Sequence, residues 1–216
     1  MMNYFKILLS NNSILRVFQK EKFKEYKLSG DCLEFGANKK ISRNFLNSKS
    51  LQYRTFLSNI DNSSKKFIKI DIEKKINHKK KYDNVIFFNI LEHLSETNKS
   101  IKNVNLLLKK NGQIIGSTPF LYRVHGAPND YYRFTKSSLE KILKDNRFKN
   151  IDIKELGSGP FLASFSILRG YLKFLPGIYH VLLAAILVLD KIITGISNTK
   201  PNKIYPIGYI FSAKKK

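Results

Sequence analysis

A chain of 216 residues that is 43% hydrophobic and 25% charged has room for one sizeable core, which excludes a wholly disordered chain and lets its motifs converge on one site. Its 39 Lys and Arg against 16 Asp and Glu leave a charge of +23, which suits a phosphate-bearing partner, nucleic acid or an anionic membrane, and equally suits a lysine-rich surface written by biased codon use. The lone cysteine, Cys32, excludes an intrachain disulfide and a cysteine-built zinc site, fits a reducing compartment, and leaves no metal site to be expected.

Residues 3–28 place Phe5, Leu8, Leu9, Leu15, Phe18 and Phe23 at helical spacing among lysines, so residues 1–29 are expected to form a helical extension. The short apolar start lacks a small-residue cleavage site, and no signal peptide is expected. Beyond Gly30-Asp31 come apolar runs of strand length at Cys32–Phe35, Leu51–Leu57, Phe67–Ile70, Val85–Phe88 and Gln113–Gly116. A helix is predicted from about 95 to 110, with Ile101, Val104 and Leu107 on one face and Asn111-Gly112 as its stop. A second is predicted over 136–147, behind Thr135 as N-cap. Strands alternating with helices form parallel βαβ units, whose ligands bind beyond the carboxyl ends of the strands. Residues 150–156 alternate as a strand does, and 206–213 can pair with them to close the sheet.

The first strand runs into Glu34-Phe35-Gly36-Ala37-Asn38-Lys39-Lys40. A glycine there lets backbone approach a ligand closely, and a carboxylate two residues earlier can accept from a ligand amine. This stretch resembles the first motif, E/D-x-G-x-G-x-G, of the class I S-adenosylmethionine-dependent methyltransferases. Glu34 and Gly36 match, while Asn38 and Lys40 replace the later glycines. Asn tolerates positive φ, so Asn38 is expected to keep the turn. Asp71, closing the run Phe67–Ile70, matches the family's adenine-binding acid by order along the chain. The acid that binds the ribose hydroxyls is missing after Leu57-Ser58, with Asp61 as the nearest substitute.

Tyr82-Asp83-Asn84-Val85 through Leu91-Glu92-His93 resembles the family stretch F-D-x-V-x-x-x-x-x-L-E-H. Asn89 is expected to face the cleft, and Glu92 the positive end of the next helix. The resemblance thus implies a cofactor site of Glu34, Gly36, Ala37, Asn38, Asp71, Ile72 and Asn89, with S-adenosylmethionine as the cofactor.

Thr118 to Thr135 concentrates His125, Asp130, Arg123, Arg133, Tyr122, Tyr131 and Tyr132 in one connector, a density unusual for a mere link. It resembles the H-G-x-P-x-D-Y-x-R-x-T segment of a methyltransferase subgroup often associated with surface-glycan pathways. An unperturbed imidazole titrates near neutrality, so His125 is the candidate base, Asp130 would orient it, and Tyr122, Arg123, Tyr131 and Arg133 would hold the acceptor.

Between the last two strands, residues 158–205 form a hydrophobic insert, apolar on nearly every side from Ile178 to Leu189. The uninterrupted stretch is shorter than the roughly 20 residues that span a bilayer, so it is expected to lie at a membrane surface, cover the acceptor, or make a homodimer through 161–195. The reading is one α/β domain over 1–216: the extension 1–29, a cofactor-binding core 30–157, the insert 158–205, and a closing strand with basic tail at 206–216. The resemblance implies a Rossmann-like, mostly parallel seven-stranded sheet with an antiparallel C-terminal strand. It also implies O-methylation of a small-molecule or lipid-linked glycan acceptor; the lone cysteine, the N-terminus and the insert lead to the expectation of a cytoplasmic chain, peripheral at the inner face of the membrane. An RNA methyltransferase and a non-catalytic module on the same fold remain open as alternatives, while DNA is not expected as a partner.

Overall fold

The computed structural model describes residues 7, 10, 12–38, 44–47, 50–60, 67–126, 128–172, 174, 176–197 and 200–216. Lys40, Asp61 and part of the expected helix over 3–28 lie outside them. The chain divides into two compact units.

The larger unit comprises the described residues of Tyr26–Thr118, His125–Ile153 and Ile210–Lys216, and it carries the sheet. Strands β1 (Gly30–Glu34), β2 (Tyr53–Leu57), β3 (Tyr82–Phe88), β4 (Leu108–Pro119), β5 (Phe148–Leu156) and β6 (Gly208–Lys215) stand in the order β2-β1-β3-β4-β6-β5. The pairs β1–β2, β1–β3 and β3–β4 are parallel. β6 runs antiparallel: the N–H of Ile207 reaches Leu156 O at one end and that of Lys216 reaches Arg147 O at the other. The sheet has six strands among the described residues instead of the expected seven. The Phe67–Ile70 run keeps only a single parallel bridge between Ser58 and Ile68, because Lys69 is exposed and only Ile70 is buried.

β3 reads Tyr-Asp-Asn-Val-Ile-Phe-Phe, nearly continuously apolar, as a strand covered on both faces requires. Cys32, Leu33, Val85, Ile86, Phe87, Ile114 and Ile115 have essentially no exposure, and each such side chain contributes roughly 1.5–3 kcal/mol by leaving water. Helix α2 (Thr97–Leu107) buries Ile101, Val104 and Leu107. It ends three residues earlier than expected, and Asn111 serves instead at positive φ within an irregular β4 whose register shifts opposite Tyr82 and Asn84. Helix α3 (Lys136–Asp145) begins where the sequence placed it, with Thr135 Oγ1 accepting from Ser138 N at 3.2 Å.

The second unit comprises the described residues of Met1–Glu25, Pro119–Val124 and Lys154–Tyr209. It holds α1 (Ile14–Phe23), capped by Ser13, and the insert's helices α4 (Pro160–Leu172), α5 (Pro176–Ile196) and α6 (Pro201–Ile204). α5 corrects the expected shorter apolar stretch. It runs unbroken for 21 residues because Pro176 starts the helix, where a missing N–H costs nothing, and because Asp190 is hydrogen-bonded within the fold. The Asp190 carboxylate is fully buried and accepts from Ser158 Oγ at 2.6 Å and from the N–H groups of Phe161 and Leu162 at 3.1 Å, capping α4. Gly177–Ile196, with a mean hydropathy of 1.8, is long and apolar enough to cross a membrane, and 22% of that window is buried.

Candidate functional site

Beyond the carboxyl ends of β1, β2 and β3 lies a cavity of about 710 Å³, within the size range of small-molecule sites. Gly36, Ser58, Asn59 and Asn89 line it where the strands end, with Phe35, Ile60, Ile70, Ile72 and Leu94 as apolar walls and Glu73, Ile90, His93 and Pro128 completing the lining. Two strand ends turn through positive φ here, at Gly36 (65°) and Asn89 (53°). The left-handed turn thus falls on these two residues instead of Asn38, whose N–H donates to Asn44 Oδ1 at 2.6 Å.

Glu34 is buried, and its two carboxylate oxygens accept from the N–H groups of Phe45 and Leu46 at 2.8 Å each, so it fastens the segment after β1. Ala37 is fully buried, bonded through its N–H to Ser58 O and through its carbonyl to the Asn59 amide. Asp71 closes a turn by accepting from Glu73 N at 3.0 Å, stands 3.3 Å from Lys74 Nζ, and lines a neighbouring 540 Å³ cavity with Lys69, Lys75 and His78, which shares Ile60 and Ile70 with the first. Of the seven residues expected to hold the cofactor, Gly36, Ile72 and Asn89 line the larger cavity.

Sequence reasoning missed Ser58 and Glu73. The Ser58 hydroxyl is buried at the cavity wall without a hydrogen-bond partner, where the family pattern calls for a ribose-binding acid. Glu73 is the only acid among the described lining residues; its position two places after Asp71 was the available signal. An orphaned hydroxyl, a carboxylate, isoleucine walls and a glycine open to close approach fit a nucleoside with an apolar base and polar ribose.

The connector after β4 folds over Glu92 and His93. His125 N donates to Asp130 Oδ2 at 2.8 Å and its Nδ1 lies 3.3 Å from the same oxygen. Arg133 grips Asp130 bidentately, Nη1 to Oδ1 at 2.5 Å and Nη2 to Oδ2 at 2.7 Å. That guanidinium holds the Asp130 carboxyl well below the usual carboxylate range. The expected orienting contact of Asp130 on His125 is therefore present, and Arg133 braces Asp130. Tyr131 N donates to Glu92 O at 2.7 Å, and its ring is half exposed. Tyr122 and Arg123 belong to the other unit, with Arg123 exposed.

Glu92 does not cap α2, whose N-cap is Glu96 without a side-chain bond. It is fully buried instead, with Oε2 3.4 Å from Thr118 Oγ1 and Oε1 without a partner. Burial pushes its carboxyl up to about 8. His93 Nδ1 is 2.6 Å from Asn129 O; a carbonyl can only accept, so Nδ1 carries the proton and a neutral ring presents Nε2 as an acceptor. That Nε2 stands 3.9 Å from Glu92 Oε1, and the His93 and His125 rings meet edge to face at 5.0 Å. Glu92, His93 and His125 each offer one ligand atom, all within 4.8 Å of one another.

No family model matches the sequence. No curated protein matches it either. Solved structures do match. A SAM-dependent methyltransferase from Archaeoglobus fulgidus is 17% identical with a TM-score of 0.58, covering 93% of this chain and 94% of its own. An S-adenosylmethionine-dependent methyltransferase from Clostridium acetobutylicum is 14% identical with a TM-score of 0.56, covering 98% and 96%. Phosphoethanolamine N-methyltransferase 2 from Haemonchus contortus, solved with S-adenosyl-L-methionine, is 13% identical with a TM-score of 0.56 over 98% of this chain, which spans 56% of that enzyme's length. The chain has the Rossmann-like class I methyltransferase fold, with a mixed, mostly parallel sheet.

Proposed function

We propose that this chain is an S-adenosylmethionine-dependent methyltransferase that methylates an oxygen of a small-molecule or lipid-linked sugar acceptor. The observation that carries the reading is the cavity at the carboxyl ends of β1–β3, with Gly36 and Asn89 both at positive φ at its rim, on a sheet of this fold. Gly36 would let the methionine part of the donor approach the backbone. Ser58 and Glu73 would accept from or donate to the ribose hydroxyls, and Ile70 and Ile72 would flank the adenine. The bound donor supplies a methyl group on a sulfonium, so the chain's own residues need only hold the acceptor in line and take its proton. His125, oriented by the Asp130 carboxylate that Arg133 fixes, would be the base, with Tyr131 toward the acceptor.

The localisation proposed is cytoplasmic and peripheral. Val181, Val188, Ile192 and Ile196 of α5 and Ile167, Leu168 and Tyr171 of α4 are exposed, and Arg169 and Lys191 lie on the same two helices. Such apolar faces edged by cations suit an anionic membrane surface, where a lipid-linked acceptor would be met.

Calorimetric titration of S-adenosylhomocysteine into the protein tests the donor site. Saturable binding that Gly36→Val abolishes, with the far-UV circular dichroism unchanged, is the expected result. No binding to folded native protein would overturn the reading and favour a non-catalytic module. Co-sedimentation with anionic but not neutral vesicles tests the membrane contact.

A further inference from the structure

We propose that Glu92, His93 and His125 form a binding site for a divalent transition-metal ion, zinc foremost, at the edge of the donor cavity. Three features meet there. The Glu92 side chain is fully buried, yet Oε1 has no hydrogen-bond partner, a state that costs free energy unless something at that atom compensates it. His93 turns its protonated Nδ1 to the Asn129 carbonyl, which leaves Nε2 facing that same Oε1 at 3.9 Å. Histidines that ligate metals are held in this way, by a carbonyl or carboxylate on the other nitrogen. The second ring, His125, lies against the Asp130 carboxylate, itself clamped by Arg133, another supporting arrangement of the same kind.

Two imidazoles and one carboxylate are a donor set that zinc takes in catalytic sites, with a fourth position left open. Ligand atoms around a tetrahedral zinc stand about 3.3 Å apart, given bonds of ~2.0–2.1 Å. The ligand atoms here lie within 4.8 Å of one another, so closure of at most about 1.5 Å, within the swing of these side chains, would complete the shell. As a ligand Glu92 would give up its proton and bring one negative charge to the ion, while the charge of Asp130 is already met by Arg133. His93 also lines the cavity, so the ion would sit at its edge.

The ion's role rests on the methyl-transfer reading, although its binding does not. With His125 a ligand and so no longer the base, the acceptor hydroxyl would be acidified at the open position and give its proton to solvent. Its oxygen then bonds the methyl carbon as the carbon–sulfur bond breaks, the electron pair staying on sulfur.

The test is titration of Zn²⁺ into the full chain after stripping with EDTA, followed by Co²⁺ to read tetrahedral d–d absorption. One equivalent is expected. Glu92→Gln, His93→Gln and His125→Asn should each weaken binding at least ~100-fold, and the outer-shell change Asp130→Asn about 10- to 100-fold. His180→Asn, on the exposed side of α5, should leave it unchanged. Circular dichroism identifies any variant that fails to fold, and Asp130→Asn then carries the comparison. The absence of saturable binding to the native chain, or equal affinity in all folded variants, overturns the proposal. A parallel titration with S-adenosylhomocysteine separates the two readings: zinc bound without the nucleoside sinks the donor site alone, and the nucleoside bound without zinc sinks the metal site alone.

Discussion

Asn89 is a residue whose backbone and side chain can be tested apart. It follows β3 at φ 53°, donates its N–H to Ser117 O at 2.8 Å, and lines the cavity. A residue with a Cβ pays roughly 1–2 kcal/mol in the left-handed region, less for Asn and nothing for Gly. Asn89→Gly and Asn89→Ala both delete the amide, so their difference isolates the backbone. Ala carries that 1–2 kcal/mol, while Gly adds about 0.4–1 kcal/mol of unfolded-chain entropy. Gly should therefore be the more stable of the two by about 1 kcal/mol, or about 2–4 °C in Tm for a chain of this size. Asn89→Val, β-branched, should fall furthest. Differential scanning calorimetry reads the order, and an Ala variant as stable as Gly would refute the argument from φ. If the amide also contacts the donor, both variants lose one hydrogen bond of about 1 kcal/mol, and the Kd for S-adenosylhomocysteine rises about fivefold in each. Native affinity in the Gly variant would remove the Asn89 amide from the site while leaving the backbone argument standing.

At Gly116 of β4 a Cβ would meet Phe211 Cζ at 2.1 Å, inside the buried core. Gly116→Ala should cost at least about 1–3 kcal/mol by overpacking, and Phe211→Leu in the same chain should recover part of it; strict additivity in chemical denaturation would show that the two do not compete for the space. Burial pushes the Cys32 thiol up to about 11. Its folded value is raised, so its contribution to stability is whole below the unfolded value of about 8.5 and is lost as pH climbs from there toward 11. Ellman's reagent at pH 8 should label the native chain negligibly and the unfolded chain at one equivalent, and prompt native labelling would contradict the buried position. Asp31 is buried, which alone would raise its carboxyl, but Lys80 and Arg54 outweigh that and hold it below its ordinary value. Its contribution is therefore present above the unfolded value of about 3.9 and lost as pH falls through the lower folded one. Asp31→Asn should cost about 1 kcal/mol at neutral pH, and the gap to native should narrow in acid melts; a gap constant down to pH 2 would sink this account.

What the sequence made legible follows the range over which each signal acts. β1, β3 and β4 are buried on both faces, so uninterrupted runs such as Val85–Phe88 announced them, and Thr135 marked the start of α3 through a bond to a residue three places on. Where several partners compete, the pattern was silent. Phe67–Ile70 has the composition of a strand, yet whether it pairs over its length or at one bridge depends on a neighbour that the run itself does not specify. Asp190-Lys191 looked like the end of the apolar stretch because a charge is costly in such surroundings, and only Ser158, Phe161 and Leu162, some thirty places earlier, cancel that cost and let α5 continue.

The site divides along the same line. Gly36 and Asn89 were legible because each sits at the end of its own strand. Glu34 was right in burial and order but is occupied by Phe45 and Leu46, since a carboxylate at a strand end binds the nearest unpaired N–H groups, and here the chain itself supplies them. Glu92 and His93 stood in one motif and His125 in another, and neither motif told that the three meet. His93 and His125 lie far apart in sequence and meet because Tyr131 N and Asn129 O fasten the connector across the short 3₁₀ turn at Leu91–His93. The density of polar residues between Thr118 and Thr135 marked the connector, while what it packs against, the turn at Leu91–His93 in another part of the chain, became visible only in the fold.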